Sequence, residues 1–342
     1  VGAIPVIALT GYLGAGKTSL LNHVLRAPDA RIGVVINDFG ELNVDAALVT
    51  GQVDEPASIA GGCICCLPDE GGLDAALDKL SDSRLALDAI IVEASGLADP
   101  VAISRIIRFS GAERIRPGGV VDVVDAARHF DTVDRGGPPP ARYSAASLVV
   151  VNKLDQVVED ERAKALSRIT ARIREGNPGA HVVGTIGGRI DPALLYDVAA
   201  EDDGSGQLSL RELLLDGAAA AQSEPHHHVH AVSATATSAG GVDPRAVLSL
   251  VEDPPAGVYR LKGTVGVPYR ERMRGYVVNV VGGSIHVATA AAAPRTNCLV
   301  AIGTGFDADA VRALLADALR PHDGPVPAAS VRRLQRYRRL SI

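Results

Sequence analysis

An α/β domain with a mostly parallel sheet and helices on both faces, followed by a smaller α+β domain, is the architecture this sequence predicts. Two observations carry it. Through the first half of the chain, short apolar runs rich in Val and Ile alternate with helical stretches, the pattern of strands joined by helical crossovers. Beyond a Gly-, Asp- and Ala-rich stretch that ends at Pro225, strand-like runs follow one another more directly, which marks a change of domain.

The strands expected in the first domain are Ile4 to Leu9, Ile32 to Ile36, Ala89 to Val92, Val120 to Val124, Leu148 to Val151 and His181 to Val183. Helices are expected at Ser19 to Arg26, Leu73 to Leu80 and from about Glu159 to Arg174. The second domain reads as strands at Val229 to Ser233, Gly257 to Lys262, Gly275 to Val281, Ser284 to Thr289 and Cys298 to Gly303, with helices at Asp243 to Val251 and Ala308 to Leu319. We place the first domain at 1–215, a linker at 216–225, the second domain at 226–325 and a basic tail at 326–342. In that tail Val331, Leu334 and Tyr337 recur at three-residue steps between arginines, so a helix that docks one face and solvates the other is expected.

Composition narrows the function. With 342 residues, 47% of them hydrophobic and 22% charged, the chain has material for two buried cores and is not generally disordered. A net charge of -6 and the absence of Trp oppose a nucleic-acid binder, which needs a basic face and stacking surfaces. No run approaches the length of a membrane span, and the sequence opens on a strand-like segment instead of a signal-like one. The expected location is cytoplasmic, with no membrane partner.

Gly11-Tyr12-Leu13-Gly14-Ala15-Gly16-Lys17-Thr18 has the G-x-x-x-x-G-K-[ST] spacing of a phosphate-binding P-loop, between an apolar strand and a helix. The glycines let backbone N–H groups wrap the phosphates, with Ala15 and Ser19 beside them at the positive end of the helix. Lys17 reaches the β and γ oxygens and the Thr18 hydroxyl ligates Mg²⁺. A second strand, Ala89 to Val92, ends in Glu93, with Gly96 three residues on. Glu93 suits Mg²⁺, and the Gly96 amide is placed to sense a γ-phosphate. A third strand closes on Asn152-Lys153-Leu154-Asp155. The Asp155 carboxylate can accept from both the ring N–H and the exocyclic amine of guanine, a donor pair adenine lacks. Lys153 can lie along the base, and Asn152 can tie this loop to the P-loop. Together the three motifs predict GTP over ATP.

Gly61-Gly62-Cys63-Ile64-Cys65-Cys66 brings three sulfurs into one loop. Such a spacing suits a soft or borderline ion with a position left open for a fourth ligand, or a redox-sensing cluster, and suits structural disulfides poorly. Cys298 stands apart and reads as a small buried hydrophobe. His226-His227-His228-Val229-His230 reads either as a weak metal-acquisition site or as a solvated linker.

With these motifs the chain resembles the CobW-like GTPases, a family of metal chaperones related to the GTPases that mature hydrogenase and urease. The residues that carry the likeness are the P-loop, Val35 to Asp45, Gly62 to Cys66, Glu93 to Gly96 and Asn152 to Asp155, with Asn177-Pro178-Gly179-Ala180 near the usual base loop and Tyr259 to Gly263 in the second domain. Asp38, Ala94 and Ser147 depart from the family pattern, where Glu, Thr and Asp are more usual. The resemblance implies a Mg²⁺-dependent GTPase that binds Zn²⁺, or Co²⁺ or Ni²⁺, through Cys63, Cys65 and Cys66, with Glu41 matching an acidic metal-binding position. It also implies delivery of the metal to a client protein. The alternatives are a cobalt-handling GTPase of cobalamin biosynthesis and a nucleotide-regulated metal or redox sensor that delivers nothing. Leu97 stands where a water-positioning glutamine would follow Gly96, so slow intrinsic turnover is expected.

Overall fold

The computed structural model describes residues 3–26, 30–37, 57–59, 71–96, 98–112, 114–196, 230–270, 272–322, 324 and 326–339. The run Ile-Pro-Val-Ile-Ala-Leu-Thr-Gly forms β1 (Ile4–Gly11), buried along its whole length. Such a run, apolar at consecutive positions, belongs in the middle of a parallel sheet covered on both faces. Six strands join it: β2 (Ile32–Asn37), β3 (Ala57–Ile59), β4 (Ala89–Glu93), β5 (Ile115–Asp125), β6 (Leu148–Asn152) and β7 (His181–Gly184). Their order is β3-β2-β4-β1-β5-β6-β7, and every neighbouring pair is parallel. All the strands therefore end at one edge of the sheet.

Side chains of β1 alternate between two cores. Ile7 and Leu9 pack with Leu20, Leu21 and Val24 of α1 (Lys17–Leu25). Val6 and Ala8 pack with Leu73 and Leu77 of α2 (Gly71–Leu80) and with Ile103 and Ile107 of α3 (Pro100–Arg108). A short turn, α4 (His129–Thr132), follows β5, and Ile169 and Ile173 of α5 (Arg162–Gly176) cover Val149 and Val151 of β6. The expected fold class is the one observed, with three differences of detail. The sequence reading has no helix at α3, although Asp99 caps it by accepting from Val101 N at 2.9 Å and Pro100 opens it, a recognisable start signal. It also has no strand at β3, whose three residues are too few to show a period. The expected Val120 to Val124 extends back to Ile115 through Pro117, where the register against β1 shifts, the kind of irregularity at which a strand tolerates proline.

The second sheet is antiparallel: β8 (Val232–Ala239), β9 (Val258–Tyr269), β10 (Arg272–Val281), β11 (Ser284–Thr289) and β12 (Thr296–Gly303), ordered β11-β10-β9-β12-β8. Its core gathers Val265, Val278 and Leu299 with residues of α6 (Pro244–Glu252), α7 (Ala308–Ala318) and α8 (Ala328–Arg339). Val331 and Leu334 of α8 are buried in it, and the arginines between them face outward. The strand expected at Val229 to Ser233 begins later, because β8 reads Val-Ser-Ala-Thr-Ala-Thr-Ser-Ala and buries only the small Ala234 and Ala236. Cys298 is half-buried instead of buried, since Asn297 and Leu299 take the inward positions of β12. Burial raises its thiol pKa, with Lys262 pulling the other way. The boundary at 215, the linker 216–225 and His226 to His228 lie outside the described residues, and His230 is exposed.

The two sheets meet where β5, β6 and β7 enter the first one. Tyr259, Val281 and Ile302 of the second sheet share the core of α1 and β1. Ser147 Oγ bonds the backbone of Val120 and lies 3.0 Å from Tyr259 Oη, and burial pushes that phenol up to about 12. His181 stacks on Tyr259 with ring centroids 5.2 Å apart, its Nε2 2.8 Å from Thr304 Oγ1. Burial, with Arg174 acting in the same sense, pushes the His181 imidazole down from 6.5 to about 4. The unfolded chain takes up this proton near pH 6.5 and the folded chain only near pH 4, so the seam contributes fully above pH 6.5 and weakens as pH falls toward 4. We expect His181→Gln to remove about 2 kcal/mol of the pH-dependent stability across that window. Urea unfolding at pH 4.5 and pH 7 measures it: an unchanged difference between the two pH values excludes His181 as a source. His286, also held near 4 by burial and by Arg116, and His129, lowered by burial, contribute to the residual slope.

Candidate functional site

Strand ends place the predicted motifs together. β1 runs into the turn that carries Gly14, Ala15 and Gly16, and α1 begins at Lys17 with Thr18 and Ser19 in its first turn. Gly16, at φ +106°, caps that helix in a conformation L side chains rarely adopt. A Cβ there would also lie 2.2 Å from Asn152 Nδ2. Gly11 is equally constrained, since its Cβ would meet the Val123 carbonyl oxygen at 2.5 Å. The Lys17 ammonium folds back toward the loop and donates to the Gly11 carbonyl at 3.1 Å.

Glu93 ends β4 beside this loop, 3% exposed, and its Oε1 accepts from Thr18 Oγ1 at 3.3 Å. Ala94 N donates to Leu9 O, which continues the β1 to β4 pairing past the strand end. Gly96 follows, packed so closely on the P-loop that a Cβ would lie 2.8 Å from the backbone nitrogen of Leu13. The hydroxyl and carboxylate of Thr18 and Glu93 are hard oxygen donors, and they fit Mg²⁺.

Asn152 ends β6 and reaches across β5. Its Nδ2 donates to the Ala15 carbonyl at 3.0 Å, and its Oδ1 accepts from Gly188 N at 2.8 Å. Lys153 follows at φ +61°, and Asp155 lies exposed in the 3₁₀ turn Leu154–Gln156. The loop after β7, residues 185–189, comes between Asn152 and α1: Leu154 N donates to Thr185 O, and a Cβ on Gly188 would meet Leu20 N at 2.7 Å. This loop, not Asn177 to Ala180, adjoins the Asn152 turn. Asn177 instead caps α5 and donates to the carbonyls of Tyr143 and Ala146.

Two further carboxylates belong to this edge. Asp125 ends β5 opposite Asn152 and accepts from Lys153 Nζ at 2.8 Å. Asp122, fully buried, accepts from Thr10 Oγ1 at 2.8 Å and holds Arg142 through two bonds of 3.0 and 2.7 Å. Burial works against the charge on Arg142, and Asp122 more than offsets it, so the guanidinium pKa stands above its ordinary value. Sequence reasoning missed both acids. Asp125 was legible as a third polar residue closing an apolar strand, as Glu93 and Asn152 do.

Glu41, Cys63, Cys65, Cys66 and Leu97 lie outside the described residues. Among the described residues no cluster of His, Cys, Asp or Glu is arranged to hold a metal ion, and no helix is long and apolar enough to cross a membrane.

Comparison with known proteins agrees with this arrangement. Residues 5–183 match the CobW/HypB/UreG nucleotide-binding domain, and residues 231–319 match the cobalamin synthesis protein CobW C-terminal domain. The zinc chaperone CobW of a Sinorhizobium species is 30% identical over 92% of this chain and 97% of its own length. The zinc chaperone YjiA of Escherichia coli is 33% identical over 57% of this chain, and the zinc-regulated GTPase metalloprotein activator 1 of Schizosaccharomyces pombe is 30% identical over 55%. The chain spans 61% and 47% of the lengths of those two relatives. It belongs to the CobW/HypB/UreG family of nucleotide-binding proteins and carries the CobW C-terminal domain.

Proposed function

We propose that this chain is a Mg²⁺-dependent GTPase that couples nucleotide binding and hydrolysis to the binding and transfer of a transition metal, with zinc as the cargo. The observation that carries the nucleotide half is the convergence of three strand ends: the P-loop of β1, Glu93 of β4 and the Asn152 turn of β6, joined by the 3.0 Å bond from Asn152 to Ala15. A polyphosphate bound at the α1 N-terminus meets backbone N–H groups and Lys17. Its base then lies toward the turn that holds Lys153 and Asp155. Thr18 and Glu93 would hold Mg²⁺, which supplies neutralisation of phosphate charge when bound. Gly96, already against Leu13, is positioned to register the γ-phosphate.

Support for the cargo comes from the sequence Cys63-Ile64-Cys65-Cys66 and from relatives named as zinc chaperones. Thiolates favour zinc among the divalent ions available to such a site, and cobalt shares its geometry closely enough to compete. β3 ends at the same edge of the sheet as the P-loop, beside Asn37 of β2. In this reading nucleotide state sets metal affinity, and reciprocity then requires metal to change nucleotide affinity by the same factor. The recipient is a client protein, which the second domain recognises.

Two measurements test the two halves. Asp155→Asn removes the carboxylate that accepts from guanine, so GDP affinity should fall about a hundredfold, the scale of two charged hydrogen bonds. The same variant should gain affinity for xanthosine diphosphate, whose O2 replaces the exocyclic amine. An unchanged GDP affinity places the base elsewhere. For the cargo, the reduced protein should bind one Zn²⁺ with an affinity that shifts on adding Mg²⁺ and a nonhydrolysable GTP analogue. The Cys63→Ser, Cys65→Ser, Cys66→Ser variant should lose that binding while keeping GTP hydrolysis. Equal zinc stoichiometry in both proteins removes the cysteine loop from the mechanism.

A further inference from the structure

Lys153 occupies an unusual position in the site, and something has to hold it there. Its backbone is left-handed, at φ +61°. Its ammonium, on a flexible four-carbon stem, would otherwise sample many rotamers, and ordering it whenever a base arrived would cost binding energy. The structure gives the ammonium a fixed partner, Asp125 Oδ2 at 2.8 Å, with the two side chains 26% and 11% exposed. Asp125 is itself fixed, because its Oδ1 accepts from the backbone N–H groups of Ala127 at 3.0 Å and Arg128 at 3.2 Å. The two oxygens divide the work, with Oδ1 anchoring the acid to the turn after β5 and Oδ2 receiving the lysine.

We propose that Asp125 is a positioning residue that preorganises Lys153 for the base. The pairing comes from the sheet itself. Asp125 and Asn152 are register partners on β5 and β6, and Ala126 N donates to Asn152 O, so the residue after Asn152 emerges beside the Asp125 carboxylate. Neutralised there, the ammonium adds no net charge to the base site, and the apolar stem becomes the surface offered to the ring. Asp125 touches no nucleotide in this scheme and acts only through Lys153. The proposal rests on the guanine-nucleotide reading given above.

Asp125→Asn is the informative change, because it keeps the Oδ1 acceptor for Ala127 and Arg128 and turns the Oδ2 acceptor into a donor facing an ammonium. Fluorescent mant-GDP binding to the full chain is measured for the wild type, Asp125→Asn, Lys153→Ala and the double variant, with thermal midpoints for each. We expect Asp125→Asn to weaken mant-GDP about tenfold, the scale of one charge-assisted hydrogen bond, mainly through faster release. We expect the same change to have no further effect once Lys153 is Ala, the coupling a double-mutant cycle isolates. An Asp125→Asn loss that persists undiminished in the Lys153→Ala background overturns the proposal. So does an Asp125→Asn chain that binds mant-GDP as tightly as wild type, or one that fails to fold. A wild type that binds mant-GDP no better than mant-ADP overturns the guanine reading, and this proposal with it.

Discussion

The Asn152 amide spans the distance between two loops that no backbone ladder connects. β5 lies between β1 and β6 in the sheet, so the P-loop and the turn carrying Lys153 and Asp155 are two strands apart. One side chain closes the gap, donating to Ala15 and accepting from Gly188. The close approach it requires explains the glycine at 16, where any Cβ would collide with the amide nitrogen. It also explains Gly188, pressed against the first turn of α1. The P-loop and the Asn152 turn are therefore built as one piece, which in the proposed reading holds both ends of one nucleotide without ordering them separately.

The second domain is joined to that piece through the opposite end of the same strand. β6 is five buried residues long, with Ser147 just before it and Asn152 at its close. Ser147 is held against Tyr259 and has little room: a Cβ on Gly119 would lie 2.6 Å from its hydroxyl, and one on Gly282 would lie 3.0 Å from its own Cβ. Its departure from the more usual Asp fits this space and the neutral character of its hydrogen-bond partners, the Val120 backbone and a phenol. A displacement of Tyr259 thus presses on the start of the strand whose end carries Asn152. This supplies a contiguous packed route between the second domain and the Asn152 turn.

Most of the first domain was legible because parallel strands buried on both faces appear as unbroken Val and Ile runs, and β1, β4 and β6 begin where those runs do. The P-loop, Glu93 and Asn152 were legible because each is a polar or glycine break at the end of such a run. What escaped had a different physical character. β8 hides in Ser and Thr because only small residues fit its buried face. Asp122 falls in the middle of an apolar strand, where a sequence gives no hint that Arg142, twenty residues on, returns to meet it. The loop at 185–189 carries no motif at all. Its place beside Asn152 follows from β7 being the neighbour of β6, a fact of topology that no local pattern encodes.

Charge placement follows from the same arrangement. A carboxylate buried beneath a phosphate-binding loop would repel the ligand and would itself be costly to bury. Asp122 avoids both effects by taking the two-pronged Arg142 and the Thr10 hydroxyl, so it braces the strand that leads into Gly11 without adding net charge. Asp125 is matched in the same way by Lys153. Glu93 accepts from the Thr18 hydroxyl in the first turn of α1, and in the proposed reading it lies on the side of the P-loop where the γ-phosphate arrives. A divalent cation between that carboxylate and a γ-phosphate would offset their repulsion, which is the electrostatic reason for proposing Thr18 and Glu93 as the Mg²⁺ pair.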